Sequence, residues 1–134
     1  MKLNYYIILF LAFFISGCST PYQPFSVFSR GGYKEKQISQ NTYQVDYYGN
    51  RATSKETLNT LLQYRSAEIT LQNKYNYYVV LKAQRRVPGS VYGGFISTKQ
   101  VIKMLKNKPK SKDNNTYDAK EVIQQFKSTI GDQK

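Results

Sequence analysis

The residues best suited to a specific covalent chemistry stand near the amino terminus, where Cys18 follows Ile15-Ser16-Gly17. An aliphatic residue, two small residues and a cysteine form a lipobox, at which bacterial lipoprotein precursors are acylated on the cysteine and cleaved before it. Lys2 and the uncharged apolar run 5–15 supply the charged and apolar regions of a secretory signal. That run has about half the length that a membrane-spanning helix needs. The sequence therefore predicts a lipid on Cys18 and a membrane-anchored product.

The composition removes the side chains that most catalytic and metal sites use. The chain has no histidine, and its one cysteine is Cys18, so acylation leaves no thiol for a nucleophile, a disulfide or structural zinc. We therefore expect a protein that is not an enzyme and holds no cofactor and no metal. The disfavoured alternative is a hydrolase that pairs Asp or Glu with Tyr, since only eight acidic residues are present.

The net charge of +12 bears on partners. In a cytoplasmic protein it would indicate nucleic acid. Behind a lipoprotein signal it indicates lipid phosphates, lipopolysaccharide, cell-wall polymers or an acidic protein partner, and we expect no nucleic acid; the alternative is a solvated surface without a specific partner. Ser19 is not the aspartate that retains many lipoproteins in the inner membrane of Gram-negative bacteria. The expected location is therefore the periplasmic face of the outer membrane.

Domain boundaries follow from these landmarks. Residues 1–17 are expected to form the signal peptide and residues 18–30 the lipidated cysteine with an extended tether, because this stretch is rich in Pro, Ser and aromatic residues. Residues 31–134 are then long enough for a single small domain.

Four stretches of this domain favour strands. A short strand is predicted over 33–38, and the alternation of Tyr43, Val45 and Tyr47 predicts a half-buried strand over 42–48. The nearly continuous apolar run in 76–85 predicts a central strand covered on both faces. The stretch 96–106 is ambiguous between a helix and an edge strand.

Two stretches favour helices. Thr53 with Glu56 three residues later predicts a capping box and a helix over 54–74. Asp118 is expected to cap a last helix that ends at Gly131 in the left-handed conformation. The order β-β-α-β-β-α predicts an α+β two-layer sandwich, in which a small, mostly antiparallel sheet carries both helices on one face.

Several segments match a known pattern in order and spacing: Gly32-Tyr33, Thr42-Tyr43-Gln44-Val45, Tyr48-Gly49-Asn50, Tyr64-Arg65-Ser66-Ala67-Glu68-Ile69-Thr70, Tyr75-Asn76-Tyr77-Tyr78 and Tyr117-Asp118-Ala119-Lys120-Glu121-Val122-Ile123. With them the chain resembles the uncharacterised family of small bacterial lipoproteins named after its Caulobacter members. It departs from the family pattern at Ser66, Lys74 and Tyr78. The resemblance implies an envelope lipoprotein with a compact α/β domain and a strand at 96–106, and it implies no activity.

Arg65 and Glu68 are neighbours on the first predicted helix, within its apolar arc. A charge there is costly unless it is paired. We predict a structural ion pair at the boundary of helix and sheet, with Asp46 or a tyrosine hydroxyl as a further partner. The alternative is a functional polar site between helix and sheet.

Gly49, Asn50 and Arg51 precede the start of the same helix. Free amide groups, the positive end of the helix and an arginine would together suit an anion. The favoured interpretation is a turn in which Gly49 and Asn50 adopt positive φ.

Six lysines occur without an intervening acid in the second half of the chain: Lys99, Lys103, Lys106, Lys108, Lys110 and Lys112. They predict a basic face that attracts phosphate-bearing lipid or lipopolysaccharide, loosely and in a salt-sensitive way. The alternative is a solvated, weakly ordered linker.

Overall fold

The computed structural model describes residues 20–26, 28, 31–50, 52–86, 96–110 and 114–131. Their elements in chain order are β1 (Gly32–Ser39), β2 (Thr42–Gly49), α1 (Lys55–Gln72), β3 (Tyr77–Arg86), β4 (Ile96–Leu105), β5 (Thr116–Asp118) and α2 (Ala119–Gly131). The strands form one antiparallel sheet in the order β1-β2-β4-β3-β5. The predicted two-layer α+β fold and its element order are confirmed, with the three-residue β5 as an unpredicted addition.

One core lies between the sheet and the two helices. Val45 and Tyr47 point into it from β2, as the alternation predicts, and Ile102 and Met104 enter it from β4. Tyr78 enters it from β3, and the helices contribute further apolar side chains: Leu58, Leu61, Leu62 and Ile69 from α1, and Val122 and Ile130 from α2. Since both helices bury their side chains in this one cluster, they cover the same face of the sheet.

A buried polar network crosses the contact between α1 and the sheet. The Gln100 amide of β4 donates to the Ser66 hydroxyl over 2.7 Å, and that hydroxyl donates to the carbonyl of Leu62. The Tyr78 hydroxyl of β3 donates to the Gln63 side chain over 2.5 Å. A hydrogen bond inside an apolar contact fixes direction as well as distance, so these bonds set the position of α1 along the strands.

The other face of the sheet, called the open face below, carries no helix among the described residues. Lys82 and Gln84 of β3 are exposed there, so the expectation that this strand is covered on both faces is wrong. The stretch 96–106 is a strand, but β4 lies centrally between β2 and β3 rather than at an edge. An alternating pattern shows that one face is buried, and in a two-layer fold this holds for central and edge strands alike.

The described part of the predicted tether lies against the domain. Thr20 is fully buried, and its hydroxyl is 2.6 Å from the Thr53 hydroxyl and accepts a hydrogen bond from the amide of Asn50 over 2.9 Å. One residue later, the carbonyl of Pro21 accepts a hydrogen bond from the Tyr47 hydroxyl. Residues 20–26, which the sequence analysis assigned to an extended tether, therefore pack against the domain.

Residues 20–26, called the N-terminal strap below, then run beside the start of β1. The amide of Tyr33 donates to the carbonyl of Gln23, and the amide of Phe25 donates to the carbonyl of Tyr33, both over 2.9 Å. Gly32 has a φ of 128°, and a Cβ there would lie 2.5 Å from the carbonyl oxygen of Gln23. Only glycine allows the strap and β1 to approach this closely.

The helix ends agree with the sequence in part. Asp118 caps α2, since its carboxylate accepts from the amides of Lys120 and Glu121 at 2.9 and 3.2 Å. The cap of α1 is Ser54 and not Thr53, because Thr53 is buried with Thr20. The expected left-handed end of α2 is wrong: the positive-φ glycines of the described chain are Gly31 and Gly32.

We expect Gly49→Ala to destabilise the domain by about 1–3 kcal/mol through overpacking. The new Cβ would lie 2.7 Å from Cδ2 of Leu58 and 3.0 Å from Cβ of Thr53. Gly131→Ala is the matched control, since a Cβ there meets nothing within 4 Å and gains helix propensity. Urea unfolding of both variants is the measurement, and equal midpoints would contradict the packing argument.

Candidate functional site: the Arg65 cluster and the lysines of the open face

The side chain of Arg65 is only 9% exposed and is held by two carboxylates. Its Nε and Nη2 donate to Oε2 and Oε1 of Glu35 at 2.8 and 2.7 Å, and its Nη1 donates to Oε2 of Glu68 at 2.8 Å. The ion pair predicted between Arg65 and Glu68 is thus present. Glu35 is a partner that the sequence analysis missed, although its position between Tyr33 and Gln37 on one side of β1 was a usable signal. Asp46 is not a partner.

The N-terminal strap completes this cluster. The Tyr22 hydroxyl donates to the Glu68 carboxylate, and the Tyr22 ring stands edge-on to Tyr64 at 5.2 Å. The guanidinium of Arg65 lies 4.2 Å from the centre of the Tyr33 ring. Two carboxylates face one guanidinium, which leaves one negative charge unbalanced. The Tyr22 hydroxyl stabilises this charge by its hydrogen bond to Glu68. The tyrosine hydroxyl that was predicted as a further partner of the ion pair is therefore present, and it belongs to Tyr22.

The pKa values of Tyr22 and Arg65 are both raised in this cluster. Burial, reinforced by the bond to Glu68, raises the pKa of Tyr22 far above its usual value. Burial alone would lower the pKa of Arg65, but the hydrogen bonds to Glu35 and Glu68 outweigh it and raise that pKa. Neither the phenol nor the guanidinium is therefore tuned to exchange a proton near pH 7. The arrangement suits a structural junction between α1, β1 and the strap.

The segment before α1 does not have the expected geometry. Gly49 and Asn50 do not have positive φ, so the predicted turn conformation is wrong. The amide of Asn50 donates to Thr20, and its side-chain oxygen accepts from the amide of Ala52 over 2.9 Å. These groups, proposed for an anion, hold the strap and the local turn. Arg51 lies outside the described residues.

Five lysines project from the open face of the sheet. Lys99 and Lys103 belong to the predicted set, whereas Lys34 and Lys36 of β1 and Lys82 of β3 do not. Strand pairing places them together. Asp46 of β2 pairs with Lys34 of β1 on one side and with Lys99 of β4 on the other. One row further along, Gln44 of β2 and Val101 of β4 lie between Lys36 and Lys82. Local spacing could not show this, because the neighbours come from strands far apart in sequence.

The charge of these five lysines is weakly compensated. Asp46 is the one acidic residue that β1 to β4 place on the open face, and its carboxylate accepts a hydrogen bond from Gln44 over 2.8 Å. None of the five lysines forms an ion pair with another described residue. The open face is therefore cationic, in contrast to the Arg65 cluster, where the charges are matched within the fold.

Lys106 of the predicted run does not lie on this face. Lys106 donates to the carbonyl of Lys74 over 2.6 Å and lies 4.6 Å from the centre of the Tyr75 ring. Lys108 and Lys110 follow the end of β4, and Lys112 lies outside the described residues. Of the predicted run, the structure thus places Lys99 and Lys103 on the open face and Lys106 away from it.

Comparison with known proteins adds no relative. No family model, no curated protein and no solved structure matches this chain. The resemblance to the lipoprotein family therefore stays a prediction. None of the helices in the described part of the chain is both long and apolar enough to span a bilayer. The predicted signal peptide and Cys18 lie outside that part.

We expect Arg65→Met to destabilise the domain by about 2–3 kcal/mol, because it leaves two carboxylates without their counter-charge. The expected loss of stability is smaller than for a fully buried ion pair, because the side chains of Glu35 and Glu68 are 34% and 27% exposed. Glu35→Gln is the milder control, as Arg65 keeps Glu68. A double-mutant cycle between positions 35 and 65, read by urea unfolding, should show coupling; additive effects would contradict the cluster.

Stability should fall as the pH rises above 10. Burial raises the pKa of Tyr22, Tyr47 and Tyr78 above the usual value of 10.0, so the folded state keeps these protons longer than the unfolded state. Their contribution is complete below pH 10 and is lost at higher pH. Urea unfolding at several pH values above 10 measures how steeply the free energy of unfolding falls with pH. Tyr22→Phe should make this slope shallower. A slope unaffected by that change would contradict the assignment.

Proposed function

We propose that this protein is a lipid-anchored lipoprotein of the bacterial envelope whose small domain is a non-enzymatic binding module. The observation that carries the proposal is the packing of the chain close to the lipobox. Thr20 is fully buried, two residues after the lipobox cysteine. The expected mature protein is thus packed to within two residues of that cysteine, and this supports an anchor held close to the domain.

The Arg65 cluster supports a structural module. Its guanidinium donates to Glu35 and Glu68, and the Tyr22 hydroxyl donates to Glu68 as well. These groups satisfy one another across three segments of the fold. Their chemistry is therefore accounted for by holding the strap and β1 to α1, which favours a role for the domain in presenting a surface.

A second candidate function is an electrostatic adaptor for anionic envelope polymers. The observation that favours it is the open face, where five lysines stand against one aspartate. Lysine is a hydrated point charge, so the attraction would be loose and would weaken with salt. Lipopolysaccharide, phospholipid and cell-wall polymers all offer the complementary charge.

We expect Cys18→Ala to abolish acylation and signal cleavage, because the sulfur that accepts the lipid is gone. Mass spectrometry of the protein from native envelopes should show an uncleaved, unacylated chain, whereas the wild type should start at an acylated Cys18. Ser16→Ala keeps a small residue in the lipobox and serves as the control. A Cys18→Ala protein processed like the wild type would contradict the proposal.

Crosslinking in the same envelopes separates the two candidates. The comparison variant carries glutamate at the five lysine positions of the open face. A protein partner that survives this change supports the binding module alone. Recovery of only anionic polymer, lost with the lysines, supports the adaptor.

A further inference from the structure

Two large apolar side chains are exposed on the sheet, Ile38 at 55% and Leu81 at 57%. Each is the extra residue of a β-bulge, since the register shifts between Gln37 and Ser39 in β1 and between Val80 and Lys82 in β3. In a bulge, two residues of one strand stand opposite a single residue of its partner. The chain therefore departs from regular pairing at the two positions where it exposes a large aliphatic group.

The bulges place both side chains with the lysines of the open face. Ser39 pairs with Thr42 and Lys82 pairs with Val101. The extra residues of the two bulges, Ile38 and Leu81, share these partners. Thr42 and Val101 both belong to the open face, because they alternate with the buried residues of β2 and β4. With strands about 4.8 Å apart, β1 and β3 are separated by roughly 14 Å. The open face thus presents two apolar contacts within a field of lysines.

The N-terminal strap adds an aromatic residue at one edge. Phe25 lies 4.8 Å from the Tyr48 ring, and Nζ of Lys34 lies 4.0 Å from the centre of the Phe25 ring. A surface of exposed apolar groups, aromatic rings and lysines is typical of proteins that lie in the interface of a bilayer. A soluble polyanion would bind the lysines but would make no favourable contact with the apolar side chains of Ile38 and Leu81.

The length of chain between anchor and domain limits where the domain can lie. Thr20 is buried, and two residues span at most about 7 Å. A lipid on Cys18 would therefore enter the membrane within about that distance of the domain. This step rests on the proposed function, since it requires acylation of Cys18.

We propose that the open face docks on the anionic phospholipid surface of the membrane that holds the anchor. The lysines face the headgroup phosphates, and Ile38 and Leu81 enter the interfacial layer. The helix side does not offer this combination, because the exposed positions of α2 include Glu121, Gln124, Gln125 and Lys127. Docking would leave both helices directed away from the membrane.

A single-cysteine experiment tests this orientation. Acylation consumes the one native cysteine, so Leu81→Cys in the full lipidated protein introduces the only free thiol. The rate of its reaction with a membrane-impermeant maleimide is measured in vesicles of phosphatidylglycerol and phosphatidylcholine, and in vesicles of phosphatidylcholine alone. Gln124→Cys on the exposed side of α2 is the matched control.

We expect the anionic vesicles to slow labelling of Leu81→Cys about tenfold, and high salt to reverse this in part. The control site should keep its rate. Changing Lys34, Lys36, Lys82, Lys99 and Lys103 to Gln should remove the protection, and unchanged urea unfolding would show that the fold is intact.

Equal labelling rates at the two sites, in acylated protein, would overturn this inference and leave the proposed function standing. Slowing at Leu81→Cys that depends on protein concentration in neutral detergent would overturn it in favour of a second copy of the chain on the open face. Absence of the acyl group would overturn the proposed function and this inference together.

Discussion

The burial of one guanidinium organises the amino-terminal half of the fold. Arg65 stands on the core side of α1, where an unpaired charge would be costly. Its two carboxylate partners come from β1 and from α1, and the Tyr22 hydroxyl brings the strap to the same point. Among the described strands, β1 pairs only with β2. This cluster therefore supplies much of what holds β1 to the helix layer. The position of the strap depends on the same charge.

The strap changes the meaning of the lipobox. An anchor on a long flexible tether would place few restrictions on the domain. Here Thr20 is already packed beside Thr53 and Asn50 at the start of α1. A lipid on Cys18, as proposed, would therefore lie within two residues of the end of the sheet at which β2 finishes.

Local patterns predicted the parts of the structure that local physics decides. The alternation of Tyr43, Val45 and Tyr47 and the cap at Asp118 need only neighbouring residues, and both are found. The same holds for Arg65 and Glu68, which are one helical turn apart. The sequence analysis missed Glu35 and Lys82 because strand pairing brings them to their sites, and pairing is a long-range property.

Two further misses have the same origin. The apolar run of β3 suggested coverage on both faces, but the bulge at Leu81 turns an apolar residue outward and hides the alternation. The segment before Gly31 suggested a free tether, because Pro, Ser and aromatic residues suit a linker. Its docking depends on Thr53, Asn50 and Tyr47, which no local pattern connects to it.

The bulge in β1 also bears on how these molecules tolerate crowding. Residues 34–39 are exposed on the outer strand of the sheet, and such a strand can pair with the same strand of another molecule. The proposed anchoring would confine molecules to two dimensions and raise the frequency of such encounters. The irregular register at Ile38 and the charges of Lys34 and Lys36 oppose edge-to-edge pairing. Both features would let the proposed lipoprotein reach high density in a membrane without extending its sheet from one molecule to the next.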